Sequence, residues 1–271
     1  MLGLNPNIGL NPHGENNMGS EKRFGYEWQK YHQISPNYEL QFRKWISPFG
    51  PEIFKNKKVL DAGCGMGRNS YWVLNYGAKE VVSFDYDKRT LEAAKKNLSS
   101  FDNAHLEFKS IYNIDYQDKF DVVFCIGVIH HLEKPFLAIE NLIRAAKPGG
   151  LILIWVYGYE NNEQIVKWIS PLRKHLTSKL PISVLHLLSY CFSIPLYFFV
   201  QLIPQSSPYL KQISQFKFNH LHSIVFDQLL PKIANYYKKE DAEQLLIKHK
   251  LKNIGISHIN KNSWTIFGYK K

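Results

Sequence analysis

One nine-residue run constrains the fold of this chain more than any other: Val59-Leu-Asp-Ala-Gly-Cys-Gly-Met-Gly67. It predicts a buried strand that ends near Asp61 and continues into a turn with glycine at three alternate positions. Glycine adopts positive φ without a steric penalty and lets a ligand approach the backbone closely. A helix that follows such a turn directs its free N–H groups into the crevice above the strand. The run therefore predicts an α/β fold with a ligand site there, although a purely structural glycine turn is the alternative.

The segments after this turn alternate between short apolar runs and helical stretches. Glu80–Asp85 is a short apolar run that ends in an acid, and Ala104–Lys109 predicts a third strand. Phe120–Ile126 predicts a fourth strand, and the loop after it carries two adjacent histidines. Lys147-Pro-Gly-Gly150 predicts a tight turn into a fifth strand, Leu151–Val156, because proline presets φ and glycine permits a reversal. This order is typical of a doubly wound parallel sheet, which binds ligands at the carboxyl ends of its strands.

These motifs, in this order, resemble the class I S-adenosylmethionine-dependent methyltransferases, in their type 11/12-like small-molecule branch. The turn reads D-x-G-x-G-x-G, whereas the dinucleotide pattern G-x-G-x-x-G requires a small residue where this chain has Arg68. The resemblance implies S-adenosyl-L-methionine rather than NAD as the cofactor. It also implies a Rossmann-like doubly wound seven-stranded sheet with the last strand antiparallel, and a helical lid inserted after strand five. The expected reaction is transfer of a methyl group to an O, N or C atom.

The cofactor residues follow from matching the family's motifs to this chain. Asp61 matches the carboxylate that serves the ammonium group of the cofactor's methionine. Asp85 reads as the ribose ligand, because an ionised carboxylate can accept hydrogen bonds from two hydroxyls. Its alternative role, capping the next helix, suits Asp87 better. The predicted cofactor-binding set is Asp61, Gly63, Gly65, Gly67, Asp85, Tyr86, Ser110, Ile111, Cys125, Ile126 and Gly127.

Methyl transfer from an activated donor mainly requires in-line positioning and exclusion of water, with a base where the acceptor must lose a proton. His130 and His131 are the candidate bases, and for one of the two a hydrogen bond to loop backbone is the alternative. Aromatic side chains before the first strand could cover the substrate or only pack against the edge of the sheet. The sequence contains no metal-binding cluster. The predicted substrate-pocket residues are Tyr26, Trp28, Tyr157, His220 and Tyr236.

Composition divides the chain into three parts. Residues 1–20 are rich in Asn, Gly and Pro, which predicts a disordered tail. Residues 21–157 together with 238–271 are expected to form the methyltransferase domain. Residues 158–237 do not fit the alternation of strands and helices expected for this family's sheet. This insertion is expected to form the helical lid that recognises the substrate.

The insertion has an unusual composition. Residues 164–226 contain six basic residues and no acid, and residues 182–203 are mostly apolar. Such a segment is long enough to span a membrane, but Pro195 favours two helices that break at its position. A membrane span, a buried lid and a lid that touches a membrane surface all remain open. In the lid interpretations the inner faces are expected to include Leu185, Leu188, Phe192, Leu196, Phe199 and Leu202. For the membrane-touching lid, an outer basic face would carry Lys167, Arg173 and Lys174.

The formal net charge of +11 suits either anionic lipid or nucleic acid. The sequence favours a small, lipophilic substrate, because the insertion is strongly apolar and the lysines form no compact stripe. RNA (tRNA) methylation is the alternative, and a non-catalytic cofactor-binding partner subunit is another. Three widely separated cysteines and the lack of a signal peptide predict a cytoplasmic protein, with peripheral membrane association open. The acceptor atom and the oligomeric state are not predicted.

Overall fold

Seven strands occur in the part of the chain that the structure describes: β1 (Lys58–Ala62), β2 (Glu80–Asp85), β3 (Ala104–Phe108), β4 (Phe120–Ile126), β5 (Ala146–Tyr157), β6 (Lys252–Ile259) and β7 (Ser263–Tyr269). The computed structural model describes residues 21–204 and 207–271, so the tail predicted for residues 1–20 lies outside it. The strands make one sheet in the order β3-β2-β1-β4-β5-β7-β6. β1 to β5 run parallel, and β7 is antiparallel to both of its neighbours. The predicted seven-stranded doubly wound sheet is confirmed.

Helices cover both faces of this sheet. They are α1 (Glu21–Lys30), α2 (Pro36–Trp45), α3 (Arg68–Asn75), α4 (Lys88–Asn97), α5 (Pro135–Ala145), α6 (Ser170–His175), α7 (Ile182–Leu202), α8 (Pro208–Ile213), α9 (Phe218–Leu229) and α10 (Lys239–Ile247). Because the central strands are covered on both sides, they are apolar along most of their length rather than alternating. In β4, Val123 and Cys125 pack into one core and Phe124 into the other. β5 begins earlier than predicted because Ala146 pairs with Phe120 ahead of a bulge.

The insertion is helical, as its composition indicates, but its longest helix is not broken where we expected. α7 continues through Pro195 as one helix of 21 residues, so the prediction of two helices separated at Pro195 is wrong. Proline removes one helical hydrogen bond, yet apolar contacts anchor α7 on both sides of it. Leu185 packs with Phe226 before the proline, and Val200 packs with Leu221 after it. These contacts to α9 outweigh the lost hydrogen bond.

The inner face of α7 also differs from the predicted one. Leu185 is buried and Leu196 half-buried, but Leu202 is 75% exposed; Leu188, Phe192 and Phe199 are exposed as well. Besides Leu185 and Val200, the side chains that face inward are polar: His186, Ser189 and Ser193. Their rotation is fixed by His222 on α9, whose ring lies 2.7 Å from the Ser193 hydroxyl and 3.4 Å from His186 Nε2. Hydrogen bonds of these polar side chains, together with the apolar contacts of Leu185 and Val200, set which side of α7 is buried.

Arg173 does not belong to an outer basic face, which corrects a second expectation about the insertion. It is only 2% exposed. Its guanidinium donates to the backbone carbonyl of Gln228 and to the hydroxyls of Ser170 and Tyr236. A buried arginine requires such partners, because an unpaired buried charge is strongly destabilising. Lys167 and the other lysines of the insertion remain exposed.

Arg23 ties the amino-terminal helix to the insertion. Its guanidinium is buried and donates to the carbonyls of Thr177, Ser178 and Leu180 at 2.8–3.2 Å. These carbonyls lie in the short helical connection between α6 and α7. Burial lowers the pKa of Arg23, although the group stays charged at neutral pH. One side chain thus joins segments that are about 155 residues apart in the sequence.

Replacing Arg23 tests how much its hydrogen bonds stabilise the folded protein. We expect Arg23→Gln to lower the free energy of unfolding by about 1.5–3 kcal/mol, the range for hydrogen bonds to charged groups. The exposed Gln29 on the same helix offers a matched control, since Gln29→Ala removes no such contact. Urea unfolding followed by circular dichroism measures both variants. Equal stability of the two variants would contradict a structural role for Arg23.

Candidate functional site

A cavity of about 250 Å³ lies at the carboxyl ends of the parallel strands. The glycine turn after β1 and the loop after β4 form its floor, and Asp85 stands at its wall. The amino-terminal helices and the insertion close the opposite side through residues such as Trp28, His220 and Asp227. This is the position at which open α/β sheets bind their ligands.

The glycine turn is held tightly against its neighbours. The N–H groups of Gly63 and Cys64 both donate to the carbonyl of Phe84 at the end of β2. Gly63 has φ +76, and a Cβ there would lie 2.5 Å from a methyl group of Val128. A larger residue would therefore be strained and would also push the loop after β4 away. The turn requires glycine for both its conformation and its close approach.

Asp85 presents a carboxylate to the cavity. One of its oxygens accepts from the Gly65 N–H at 2.9 Å, and the other accepts from the Asp87 N–H at 3.1 Å. Each oxygen has a second lone pair that can accept from a ligand hydroxyl. Burial raises the pKa of Asp85 to about 6, although both backbone hydrogen bonds oppose that rise. Asp87, rather than Asp85, caps α4 by accepting from the N–H groups of Arg89 and Thr90.

The other predicted cofactor residues divide into two groups. Those that line the cavity with Asp85 are Gly63, Gly65, Tyr86, Ser110, Ile111, Ile126 and Gly127. A Cβ on Gly127 would meet no atom within 4 Å, so this backbone borders open space. These groups fit an adenosine: a carboxylate for its ribose hydroxyls, and apolar walls with one hydroxyl for its base. The structure thus brings together eight of the eleven predicted residues.

Asp61, Gly67 and Cys125 do not line the cavity. Asp61 is 1% exposed, and its carboxylate accepts from the Ser70 hydroxyl at 2.6 Å behind the turn. Burial raises the pKa of Asp61 to about 7. Cys125 lies in the core of the sheet, and Gly67 forms the N-cap of α3. The predicted contact of Asp61 with an ammonium group is therefore not direct in this structure.

The two histidines after β4 have different surroundings. His130 is fully buried outside the cavity lining, and its ring nitrogens have no hydrogen-bond partner among the described residues. His131 lines the cavity, and its Nδ1 lies 2.7 Å from the carbonyl of Ile233. Because a carbonyl only accepts, Nδ1 carries the proton and Nε2 keeps a free lone pair. Burial lowers the pKa of His131 to about 4, so the ring is neutral near pH 7. Of the pair, His131 is the one placed to accept a proton.

Sequence reasoning missed a charged group at the closed side of the cavity. Glu27 on α1 and Asp227 on α9 line the cavity together with Arg68. Burial raises the pKa of Glu27 well above its ordinary value, and the charge of Asp227 adds to this rise. Burial likewise raises the pKa of Asp227 to about 6. One signal was available, since Asp227 is the first acid after the acid-free stretch 164–226.

The sequence prediction used only the size of Arg68, but the structure gives its side chain defined contacts. It is the first residue of α3, and its guanidinium lies 4.9–5.2 Å from the ring centroids of Trp28, Tyr38 and Trp45. Such cation–π contacts hold a cation in place without consuming its hydrogen-bond donors. The aromatic segment before β1 therefore positions a guanidinium at the cavity wall.

A chain of hydrogen bonds crosses the far end of the cavity. The Tyr157 hydroxyl donates to Asp227, and Gln228 Nε2 donates to Tyr157. The Tyr236 hydroxyl donates to Gln228 Oε1, and Arg173 donates to Tyr236. We call this set of five residues the polar band. It fixes the side chains that a substrate would meet beyond the cofactor.

The predicted substrate-pocket residues also divide. Trp28, Tyr157 and His220 line the cavity, whereas Tyr26 and Tyr236 do not. Tyr26 packs against Phe226 beneath the insertion. His220 is enclosed by aromatic rings, and its two ring nitrogens have no hydrogen-bond partner among the described residues. Burial lowers the pKa of His220 to about 3.

Comparison with known proteins gives one family and several relatives. Residues 53–181 match a family described as a methyltransferase domain. A tRNA U34 carboxymethyltransferase of Nautilia profundicola is 30% identical over 128 residues, which are 46% of this chain and 42% of that protein. The chain thus spans less than half the length of that curated relative.

Solved structures share the fold at low sequence identity. A SAM-dependent methyltransferase from Aquifex aeolicus has a TM-score of 0.52 at 13% identity, with 94% of this chain and 100% of that chain covered. Human N-acetylserotonin methyltransferase in complex with SAM has a TM-score of 0.54 at 14% identity, covering 93% and 56%. These similarities extend across the sheet and its helices and support the fold alone.

The geometry of Asp85 predicts how cofactor affinity depends on pH. Only the ionised carboxylate accepts from two hydroxyls, and the ionised fraction falls as the pH drops below about 6. We therefore expect the affinity for S-adenosylhomocysteine to fall roughly tenfold between pH 7.5 and pH 5. Asp85→Asn should weaken binding by roughly 10- to 150-fold, or about 1.5–3 kcal/mol, and remove most of the pH dependence. Isothermal titration calorimetry measures both effects. The exposed Asp102→Asn is the control, and a wild-type affinity in Asp85→Asn would exclude Asp85 from the site.

Proposed function

We propose that this chain methylates a small, lipophilic molecule, because residues 53–181 match a family described as a methyltransferase domain and form part of a seven-stranded doubly wound sheet. The donor is S-adenosylmethionine, and the acceptor is an O, N or C atom. The observation that carries the proposal is the closure of the cavity opposite the cofactor residues. There α1, α8 and α9 supply the walls, through residues such as Glu27, Gln212 and Asp227. A cavity closed in this way suits a small acceptor and excludes water from the transfer.

The residues at the floor and wall bind and orient the cofactor in this proposal. When bound, S-adenosylmethionine supplies an activated methyl group on a sulfonium. Asp85 accepts hydrogen bonds from the ribose, and the backbone around Gly65 and Gly127 allows close approach. Arg68 is our candidate partner for the cofactor's carboxylate, because it lines the cavity and its guanidinium has more N–H donors than its hydrogen bond to Tyr38 uses. Asp61 then acts by hydrogen-bonding Ser70 and so holding the first turn of α3 against β1.

His131 is the proposed base for an acceptor that must lose a proton. Its Nδ1–H is held by the carbonyl of Ile233, so Nε2 is oriented and unprotonated near neutral pH. The ring of Tyr157 contacts both histidine rings, and its hydroxyl is fixed by a hydrogen bond to Asp227. The ring therefore has a defined direction before any acceptor binds, which favours proton transfer in the transition state.

Methylation of tRNA is the second candidate function. The name of the Nautilia profundicola relative and the net charge of +11 support it. The acceptor side of the cavity weighs against it, because a nucleotide would have to be inserted from a long polymer beneath the insertion. The outer surface of the insertion also exposes large apolar side chains, among them Leu187 and Phe198. We therefore place it second.

We further propose that the outer face of α7 contacts an anionic membrane surface. By length and composition α7 could cross a membrane, with a mean hydropathy of 1.6. It lies on α9 and buries Leu185, Val200 and its polar side chains there, while most of its other apolar side chains face outward. Exposed lysines occur on both sides of α7 in the sequence, and Trp168 is 63% exposed. An apolar helix face with nearby lysines and tryptophan is typical of interfacial binding.

A labelled-methyl assay tests the main proposal. With S-adenosylmethionine carrying a labelled methyl group, we expect label in the lipid extract of the source cells and not in bulk tRNA.

His131→Gln should lower kcat roughly 10²- to 10⁴-fold and leave the affinity for S-adenosylhomocysteine within about twofold. The exposed His32→Gln is the matched control. Label in tRNA alone would favour the second candidate, and an unchanged kcat in His131→Gln would exclude that residue as the base.

Liposome sedimentation tests the membrane contact. We expect the protein to pellet with vesicles of anionic lipid at low salt and less so at high salt, because salt screens the lysines. Leu187→Asp with Leu202→Asp should abolish pelleting, since both side chains are at least 70% exposed on α7. Ile247→Asp is the control, because it makes the same kind of change at an exposed apolar residue of α10, away from α7. Failure of the wild-type protein to pellet at either salt concentration would overturn the proposal.

A further inference from the structure

A second cavity, of about 340 Å³, lies within the insertion. We call it the apolar chamber. α7, α8 and α9 and the π-helical turn Ile165–Ile169 surround it. Side chains typical of its wall are Ile165, Ile169, Leu196, Ile213, Leu221 and Val225.

The size of the apolar chamber indicates a site rather than a packing defect. Protein interiors contain few voids larger than a water molecule. An apolar cavity of roughly 150 Å³ stays dry and binds benzene, and the apolar chamber is more than twice as large. Water gains little there because it needs several polar partners. A hydrocarbon group is the ligand that such a space accepts most readily.

The two cavities differ in their unsatisfied polar atoms. The cofactor cavity includes buried polar atoms without a hydrogen-bond partner on Glu27, Gln41 and His220. Among the described residues, none of the side chains lining the apolar chamber carries such an atom. Its polar lining residues are already engaged: Asn162 donates to two backbone carbonyls, and Gln228 is bonded through both ends of its amide. The first cavity therefore still requires polar ligand atoms, whereas the apolar chamber does not.

The two cavities are adjacent. Tyr157, Tyr209, Ile224 and Gln228 line both of them. Tyr157 and Gln228 belong to the polar band, so the boundary between a polar and an apolar compartment coincides with that band. A molecule that reached from one compartment into the other would have its polar part next to Asp227 and its apolar part beyond Gln228.

We propose that the apolar chamber binds the hydrocarbon tail of an amphiphilic methyl acceptor whose polar head lies in the cofactor cavity. This inference rests on the proposed function and specifies its substrate as a molecule with a polar head and an alkyl or prenyl-like chain. Phe192 lines the apolar chamber and is half exposed on α7. The apolar chamber thus adjoins the apolar outer face of that helix, from which a lipid-like substrate can enter.

Binding of straight-chain alcohols tests this inference without requiring turnover. For 1-alkanols from six to fourteen carbons, added with S-adenosylhomocysteine present, we expect affinity to rise about fourfold for each added methylene and then level off. Leu196→Trp fills the apolar chamber and should lower the affinity for the longest bound alcohol at least tenfold. Leu187→Trp is the matched control, because it adds the same ring on the exposed side of α7. Calorimetry supplies the affinities.

The outcomes separate this inference from the proposed function. S-adenosylhomocysteine affinity should be unchanged in both tryptophan variants, which shows that each is folded. Affinity that does not depend on chain length, or that falls equally in both variants, would overturn a tail site in the apolar chamber. Chain-dependent binding that only Leu196→Trp weakens supports it even where the labelled-methyl assay finds no lipid product. The labelled-methyl assay and the alcohol-binding measurement can fail independently of each other, because alcohol binding involves no methyl transfer.

Discussion

The hydrogen bond from the Gly65 N–H to the Asp85 carboxylate, 2.9 Å long, is the contact on which the site depends. It joins the turn after β1 to the end of β2, so that neither can move without the other. The turn can make this bond only because its glycines adopt positive φ and approach their neighbours closely. The same bond orients the carboxylate toward the cavity. The glycine turn and the acid at the end of β2 therefore form one structural unit, although 20 residues separate them.

The sheet and the cofactor wall were predictable because local signals specify them. Strands buried on both faces are apolar throughout, and positive-φ turns favour glycine, so β1 to β5 and the lining residue Asp85 could be found from the sequence. Asp61 was harder, because its partner Ser70 lies on the following helix and turns its carboxylate away from the cavity. The contrast between His130 and His131 depends on the carbonyl of Ile233, about 100 residues later in the chain.

The insertion departed most from expectation because its arrangement is decided by tertiary partners. Hydrophobicity predicted that leucines and phenylalanines of α7 would face inward, but hydrogen bonding to His222 turned the serines inward instead. Pro195 favoured a break that contacts with α9 on both sides prevented. Arg173 suggested a surface charge, yet it completes the polar band. In each case a partner distant in sequence outweighed a local preference.

The bonds of Arg23 also determine how the closed side of the cavity can open. They connect α1 to the turn before α7, and α7 is joined to α9 by its buried polar side. α1 in turn packs against α4, and its Trp28 contacts Arg68 at the start of α3. Movement of α7 and α9 away from the cavity therefore requires the Arg23 hydrogen bonds to break, while α1 and the sheet can stay folded. Amide protons in α7 and α9 should then exchange with solvent through a common opening. The rate of that opening would set an upper limit on how fast a ligand enters or leaves the cavity.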